Sequence, residues 1–78
     1  MEIAWTRPAL ADMAGLDTGI ARRIQLSVAD TGAGDIKRLQ DVDPPEFRLR
    51  VGDYRVRFRN DGEIVSILRV RNRRDAYR

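Results

Sequence analysis

Arginine at alternate positions is the pattern in this chain that bears most directly on chemistry: Arg48 and Arg50, then Arg55, Arg57 and Arg59, then Arg69 and Arg71. A guanidinium presents a planar fork of donors that fits two phosphate oxygens at once and can stack on a base, whereas a lysine ammonium is a point charge. The chain holds one lysine, Lys37, and all ten basic residues from position 46 onward are arginine. Residues 1–45 carry five basic and seven acidic side chains and residues 46–78 carry ten and five, so the two parts stand at −2 and +5 and sum to the formal +3. Composition alone also permits a plain solubility role for arginine, so placement has to decide. Other chemistries are poorly supplied. With no cysteine and no histidine, disulfides, thiolate ligands and ordinary zinc sites have no donors, and no metal site is expected.

The elements that place these arginines can be read from periodicity. Ile3-Ala4-Trp5 suits a first strand, and Thr6 followed by Pro8 is a helix entry, because threonine accepts from free amides and proline fits the first turn. Leu10, Met13 and Ala14 lie on one helical face, with Gly15 past its end. Asp17 or Thr18 opens a second helix in which Ile20, Ile24 and Val28 recur every four residues, and Gly32 stops it. Between Thr31 and Pro45 the glycines, aspartates and prolines predict a connecting loop, with room for one helical turn around Ile36 and Leu39. From there the period becomes two. Phe47–Val51, Tyr54–Arg59 and Ile64–Arg71 read as three strands, joined by turns at Gly52-Asp53 and Asp61-Gly62. The expected class is α+β: an N-terminal strand and helical hairpin on a twisted antiparallel sheet, in the order β-α-α-β-β-β, as one domain over residues 1–78.

Alternation then sorts the faces. Phe47, Leu49, Val51, Tyr54, Val56, Phe58, Leu68 and Val70 are predicted to face the helices, and the seven arginines to face away from them. A half-buried sheet needs a polar outer face, and arginine stems cover apolar surface well, but that explains polarity rather than sign. Only Asp53 and Glu63 are expected among the arginines, and like charges on neighbouring strands repel unless a polyanion offsets them. A phosphate backbone fits that demand. An aromatic platform would complete base recognition. Trp5 is read as core packing; Tyr77, in the polar ending Arg71–Arg78, either stacks on a base or folds back on the sheet.

Two strings are specific enough to carry a family resemblance. Phe47-Arg48-Leu49-Arg50-Val51-Gly52-Asp53-Tyr54-Arg55-Val56 and Val70-Arg71-Asn72-Arg73-Arg74-Asp75-Ala76-Tyr77-Arg78 resemble two segments of the RelE/ParE toxins of type II toxin-antitoxin modules, at the right separation. The resemblance covers the whole chain and implies a RelE-like fold. It also implies a ribosome-dependent, metal-independent endoribonuclease, or mRNA interferase, that cleaves mRNA in the ribosomal A site and inhibits translation. In that chemistry the ribose 2′-hydroxyl attacks the adjacent phosphate and expels the 5′-oxygen. Carried over by position, Arg55 and Arg73 stabilise the transition state and Tyr77 stacks on or positions the cleaved nucleotide. Arg48, Arg50, Arg57, Arg71 and Arg74 are the expected RNA contacts. No cofactor is implied.

Two departures from the family pattern bear on proton transfer. Asn72 stands where many members have histidine, and the lysines expected on the sheet are arginines here. Arginine stays protonated and is a poor general base, so either the reaction relies on substrate positioning and ribosomal groups, with Tyr77 or Asp75 helping the proton along, or activity is weak or absent; Asp75 is read in the first place as a partner for a nearby arginine. Two further readings stay open: a ParE-like inhibitor of DNA gyrase, which shares the fold without the catalytic set, and a non-catalytic homologue that pairs with its antitoxin and binds nucleic acid. The partners implied are a RelB-like antitoxin wrapping the toxin, the ribosome and mRNA. A basic sheet and an exposed helix pair on so small a domain would also suit an extended acidic or amphipathic segment. Neither a signal peptide nor a run of ~20 apolar residues is present, so the expected place is the cytoplasm, away from membranes. A domain this small buries roughly 60% of its unfolded surface, which disfavours a deep enclosed pocket.

Overall fold

The computed structural model describes residues 2–30, 35–39 and 45–76. Strand β1 (Glu2–Trp5) leads through Thr6 into α1 (Arg7–Ala14), and α2 (Thr18–Ala29) follows. Thr6 is the joint. Its Oγ1 accepts from the Ala9 amide at 3.4 Å and donates to the Ile67 carbonyl at 2.8 Å, so one side chain caps the helix and ties it to the sheet. Pro8 sits in the first turn as expected. Of the two candidate caps for α2, Asp17 is the one used, accepting from the Gly19 amide at 3.1 Å. The predicted stop at Gly32 lies outside the described residues.

Four more strands complete the sheet: β2 (Asp35–Arg38), β3 (Glu46–Val51), β4 (Tyr54–Asn60) and β5 (Ile64–Asn72), followed by the short α3 (Arg73–Ala76). The spatial order is β1-β5-β4-β3-β2. The meander β3-β4-β5 is antiparallel as expected, and β1 joins β5 in parallel, with Trp5 opposite Ile67, which makes the sheet mixed. Alternation reports a strand's faces but neither its direction nor its neighbour, so this pairing had no signal in the sequence. The helical turn expected around Ile36 and Leu39 is not formed. Residues 35–38 pair instead with β3 in antiparallel register, Ile36 opposite Leu49, and the Leu39 amide donates to the Glu46 carbonyl at 2.9 Å. A three-residue spacing is compatible with one helical turn locally, but an open edge of β3 offers a continuous ladder.

The helices cover one face. Ala9, Met13, Ile24 and Val28 pack with Leu49, Val51, Val56, Phe58, Val65, Ile67 and Val70; Ile3, Trp5, Phe47 and Tyr54 lie partly buried around them. Phe47 and Phe58, opposite each other across β3 and β4, stack at 5.4 Å. Leu68 departs from its predicted core position. Phe58 faces Ile67 while Arg57 faces Arg69, so Leu68 is the extra residue of a β-bulge. The bulge switches the parity of β5: odd positions 65 and 67 point inward before it, and Val70 does so after it. Without that switch Val70 would leave the core and Arg69 would enter it.

Both predicted turns form. Gly52 has φ 57 and Gly62 has φ 94, backbone that L side chains adopt only with strain. At the second turn the Asp61 carboxylate accepts from the amides of Glu63 and Ile64 at 2.9 and 2.8 Å, and these bonds hold it below the ordinary carboxylate range. No described helix is long and apolar enough to cross a membrane.

Candidate nucleic-acid interface

The register of the meander converts the alternating arginines into cross-strand rows. Arg50 pairs with Arg55 and Arg55 with Arg71, which makes one row of three; Arg48 pairs with Arg57 and Arg57 with Arg69, which makes a second, extended onto β2 by Lys37 opposite Arg48. Neighbouring strands are ~4.8 Å apart, so each row is a line of cations closer together than their charges favour in the absence of an anion.

Acids offset only part of this field. Glu46, on the same face as Arg48 and Arg50, is 7% exposed and accepts from Arg57 Nη2 at 2.6 Å, with Arg59 Nη2 at 3.9 Å. Asp12 of α1 takes Arg69 in a fork, from Nε at 2.9 Å and Nη2 at 3.2 Å, and also accepts from the Val70 amide at 2.9 Å. It stands where β1 has ended, so a carboxylate continues the edge pairing of β5. Burial pushes the Asp12 carboxyl up, but the hydrogen bonds from Arg69 and Val70 and the charges of Arg69 and Arg71 outweigh it and hold the group below its ordinary 3.8. The same pair raises Arg69 above its usual value. The reading that placed only Asp53 and Glu63 among the arginines is thus corrected. Glu63 lies in the exposed hairpin turn, and the acids that bind the face are Glu46 and Asp12. Glu46 had a signal, since it shares parity with Arg48 and Arg50. Asp12 had none, because its partner is 57 positions away.

Among the side chains that are described, which do not include Asp35 opposite Arg50 on β2 or Asp75, no carboxylate lies within 4.0 Å of Arg48, Arg50, Arg55, Arg71, Arg73 or Arg74. Arg55 is the most buried of these: it is 9% exposed, and its Nε and Nη1, like Arg59 Nε, have no hydrogen-bond partner among the described residues. A buried donor left unpaired is costly, and here it lies between Arg50 and Arg71 in register.

Beside this row the chain turns into α3. The Arg73 amide donates to the Asp53 carbonyl at 2.6 Å and the Arg74 amide to Asn72 Oδ1 at 3.0 Å, which ties the start of α3 to the β3–β4 turn and to the end of β5. An open groove of about 1300 Å³ runs here, with Asp12, Asp53, Arg69, Arg71, Arg73 and Arg74 on its walls. Arg71, Arg73 and Arg74 therefore share one groove, Arg55 sits beside Arg71 in the sheet, and Arg48 and Arg50 continue the face on β3. Arg57 is held by Glu46. Tyr77 lies outside the described residues, and Trp5 is partly buried against the core as read. Among the described residues no group of three or more acidic, histidine or cysteine side chains is placed to hold a metal ion.

Comparison with known proteins agrees with this architecture. Residues 3–77 match the family described as the ParE toxin of type II toxin-antitoxin system, parDE. No curated protein matches the chain. A chain of the RelB-RelE antitoxin-toxin complex from Methanococcus jannaschii superposes with a TM-score of 0.81 at 22% identity, over 95% of this chain and 94% of that one. A chain of the toxin-antitoxin complex RelBE2 from Mycobacterium tuberculosis does so with a TM-score of 0.68 at 28% identity, over 91% and 95%. A copper-bound mutant toxin from Helicobacter pylori gives 0.66 at 10% identity, over 96% and 97%. With the family matched along nearly its whole length and the fold shared with RelE toxins, the chain belongs to the RelE/ParE superfamily of type II toxin-antitoxin toxins.

Proposed function

We propose that this toxin is an endoribonuclease that acts on mRNA in the ribosomal A site, in the cytoplasm, and is held inactive by a RelB-like antitoxin. The observation that carries the reading is Arg55: a nine-tenths buried arginine whose Nε and Nη1 have no partner among the described residues, lying between two more arginines and next to a groove with Arg73 and Arg74 on its wall. Such donors are satisfied by an anion, and fixed donors aimed at a phosphate that gains negative charge lower a barrier by roughly 3 to 4 kcal/mol for one well-placed group.

In this proposal the 2′-oxygen attacks the adjacent phosphorus and the 5′-oxygen leaves. Arg55 and Arg73 stabilise the charge of the transition state, Arg48, Arg50, Arg71 and Arg74 hold the backbone, and Tyr77 positions the nucleotide. The antitoxin follows by analogy with the two RelBE complexes. Primer extension on a defined mRNA, with and without ribosomes, tests the reading: cuts that need ribosomes and vanish with Arg73→Ala or Tyr77→Phe support it. A second reading, inhibition of DNA gyrase, is favoured by the family description, which names ParE; it predicts intact mRNA and DNA damage after induction.

A further inference from the structure

The acids on the arginine face divide it into two parts. Arg57 is hydrogen-bonded to Glu46, Arg59 stands 3.9 Å from it with its Nε unpartnered among the described residues, and Arg69 is forked onto Asp12. Neither carboxylate is free to let go cheaply. Glu46 is 7% exposed, so withdrawing Arg57 to bind a phosphate would leave a buried charge without its closest partner. Asp12 also accepts from the Val70 amide, so it is fixed in place whether or not Arg69 stays.

The cations that remain lie together. Arg50, Arg55 and Arg71 form one row across β3, β4 and β5; Arg48 adjoins it, and Arg73 and Arg74 follow directly after β5. Glu46 is four residues from Arg50 along β3, which at ~3.4 Å per residue is ~14 Å of strand. The row itself crosses three strands, ~10 Å from first to last. The free charge therefore runs across the strands toward α3, not along them toward the Asn60 end of β4.

We propose that Glu46 and Asp12 set the borders of the RNA footprint, so that a single-stranded backbone crosses the sheet over Arg50, Arg55 and Arg71 toward Arg73 and is kept off Arg57, Arg59 and Arg69. Glu46 and Asp12 are positioning residues here: they touch no substrate and act by withdrawing three arginines from it. The proposal rests on the RNA reading above, and it assigns that site its direction and its edges.

Salt dependence counts engaged phosphates directly, because the slope of log affinity against log salt is about −0.7 per neutralised phosphate for single strands. Binding of a fluorescently labelled single-stranded RNA oligonucleotide to the purified protein is measured by anisotropy across a salt series. Arg50→Gln and Arg71→Gln are expected to flatten the slope by about 0.7 each. Arg57→Gln and Arg59→Gln are expected to leave it unchanged. Glu46→Gln frees two arginines and steepens it by up to about 1.4, and Asp12→Asn frees one and steepens it by about 0.7. A role limited to fold stability would weaken binding without steepening the slope, and circular dichroism on each variant reports whether it is folded. If Glu46→Gln does not fold, Arg57→Gln and Arg59→Gln still decide the matter, since a loss of slope equal to that of Arg71→Gln overturns the border. If the unaltered protein shows no salt-dependent affinity for RNA, the nucleic-acid reading itself falls and takes the border with it. Normal wild-type binding with equal slopes for all four arginine variants overturns the border alone.

Discussion

Replacing Asp12 tests whether a single carboxylate joins the helices to the end of the sheet. Asp12→Ala removes three accepted hydrogen bonds: one from the Val70 amide and two from Arg69. A partly buried amide left without an acceptor costs about 1–3 kcal/mol. The Arg69 side chain is 38% exposed, so water recovers much of its loss and the ion pair adds little. The expected loss is therefore about 1–3 kcal/mol. Asp12→Asn keeps one oxygen for Val70 but loses the charge and puts an NH2 where Arg69 had an acceptor, so it should cost less than alanine while still breaking the fork. Urea unfolding followed by circular dichroism separates the two: with a slope of about 1–1.5 kcal/mol per molar for a chain this small, the alanine variant unfolds roughly 1–2 M earlier and the asparagine variant by less. The pH dependence follows from the same geometry. The folded carboxyl titrates below its ordinary 3.8, so its contribution is complete above that value and is lost as pH falls through the lowered one. The gap between wild type and Asp12→Asn should stay constant from neutral pH down to about 5 and close below 3.8. Equal destabilisation by alanine and asparagine would show that the Val70 bond contributes nothing, and a gap that persists at acid pH would show that charge is not the source.

Two other substitutions test the sheet. Ile67 is fully buried and Leu68 is the bulged residue beside it, so Ile67→Ala should cost about 2–5 kcal/mol and Leu68→Ala well under half of that in the same urea assay; the reverse order would place the bulge elsewhere. Gly52→Ala forces a side chain onto a backbone with φ 57, where its Cβ would also meet Arg23 Nη1 at 3.4 Å. The left-handed strain costs about 1–2 kcal/mol, or at least 4 °C of melting temperature for a domain of this length, and an unchanged melting temperature would mean the turn relaxes freely.

Where a feature depends on neighbours in the sequence, the sequence disclosed it. Thr6, Pro8 and Asp17 mark helix starts because capping is settled within three residues; Gly52 and Gly62 mark turns because only glycine takes positive φ without strain; and the strict alternation of Phe47–Val51 and Tyr54–Arg59 names both faces of β3 and β4. The cationic face, and Arg55 within it, were legible for that reason. Features that depend on pairing between distant residues were not. The strand at Asp35–Arg38 exists because β3 offers it an edge, and β1 lies parallel to β5 because the helices carry the chain to the far edge at β2 and the meander then brings it back beside β1. The bulge at Leu68 is visible only once β4 fixes the register, and it decides that Val70 is core. Glu46 shares parity with Arg48 and Arg50 in the sequence, but neither it nor Asp12 names its partner there. Their meaning comes from where folding brings Arg69 and Arg57, since charge acts through distance in space, and that distance is set by the tertiary structure alone.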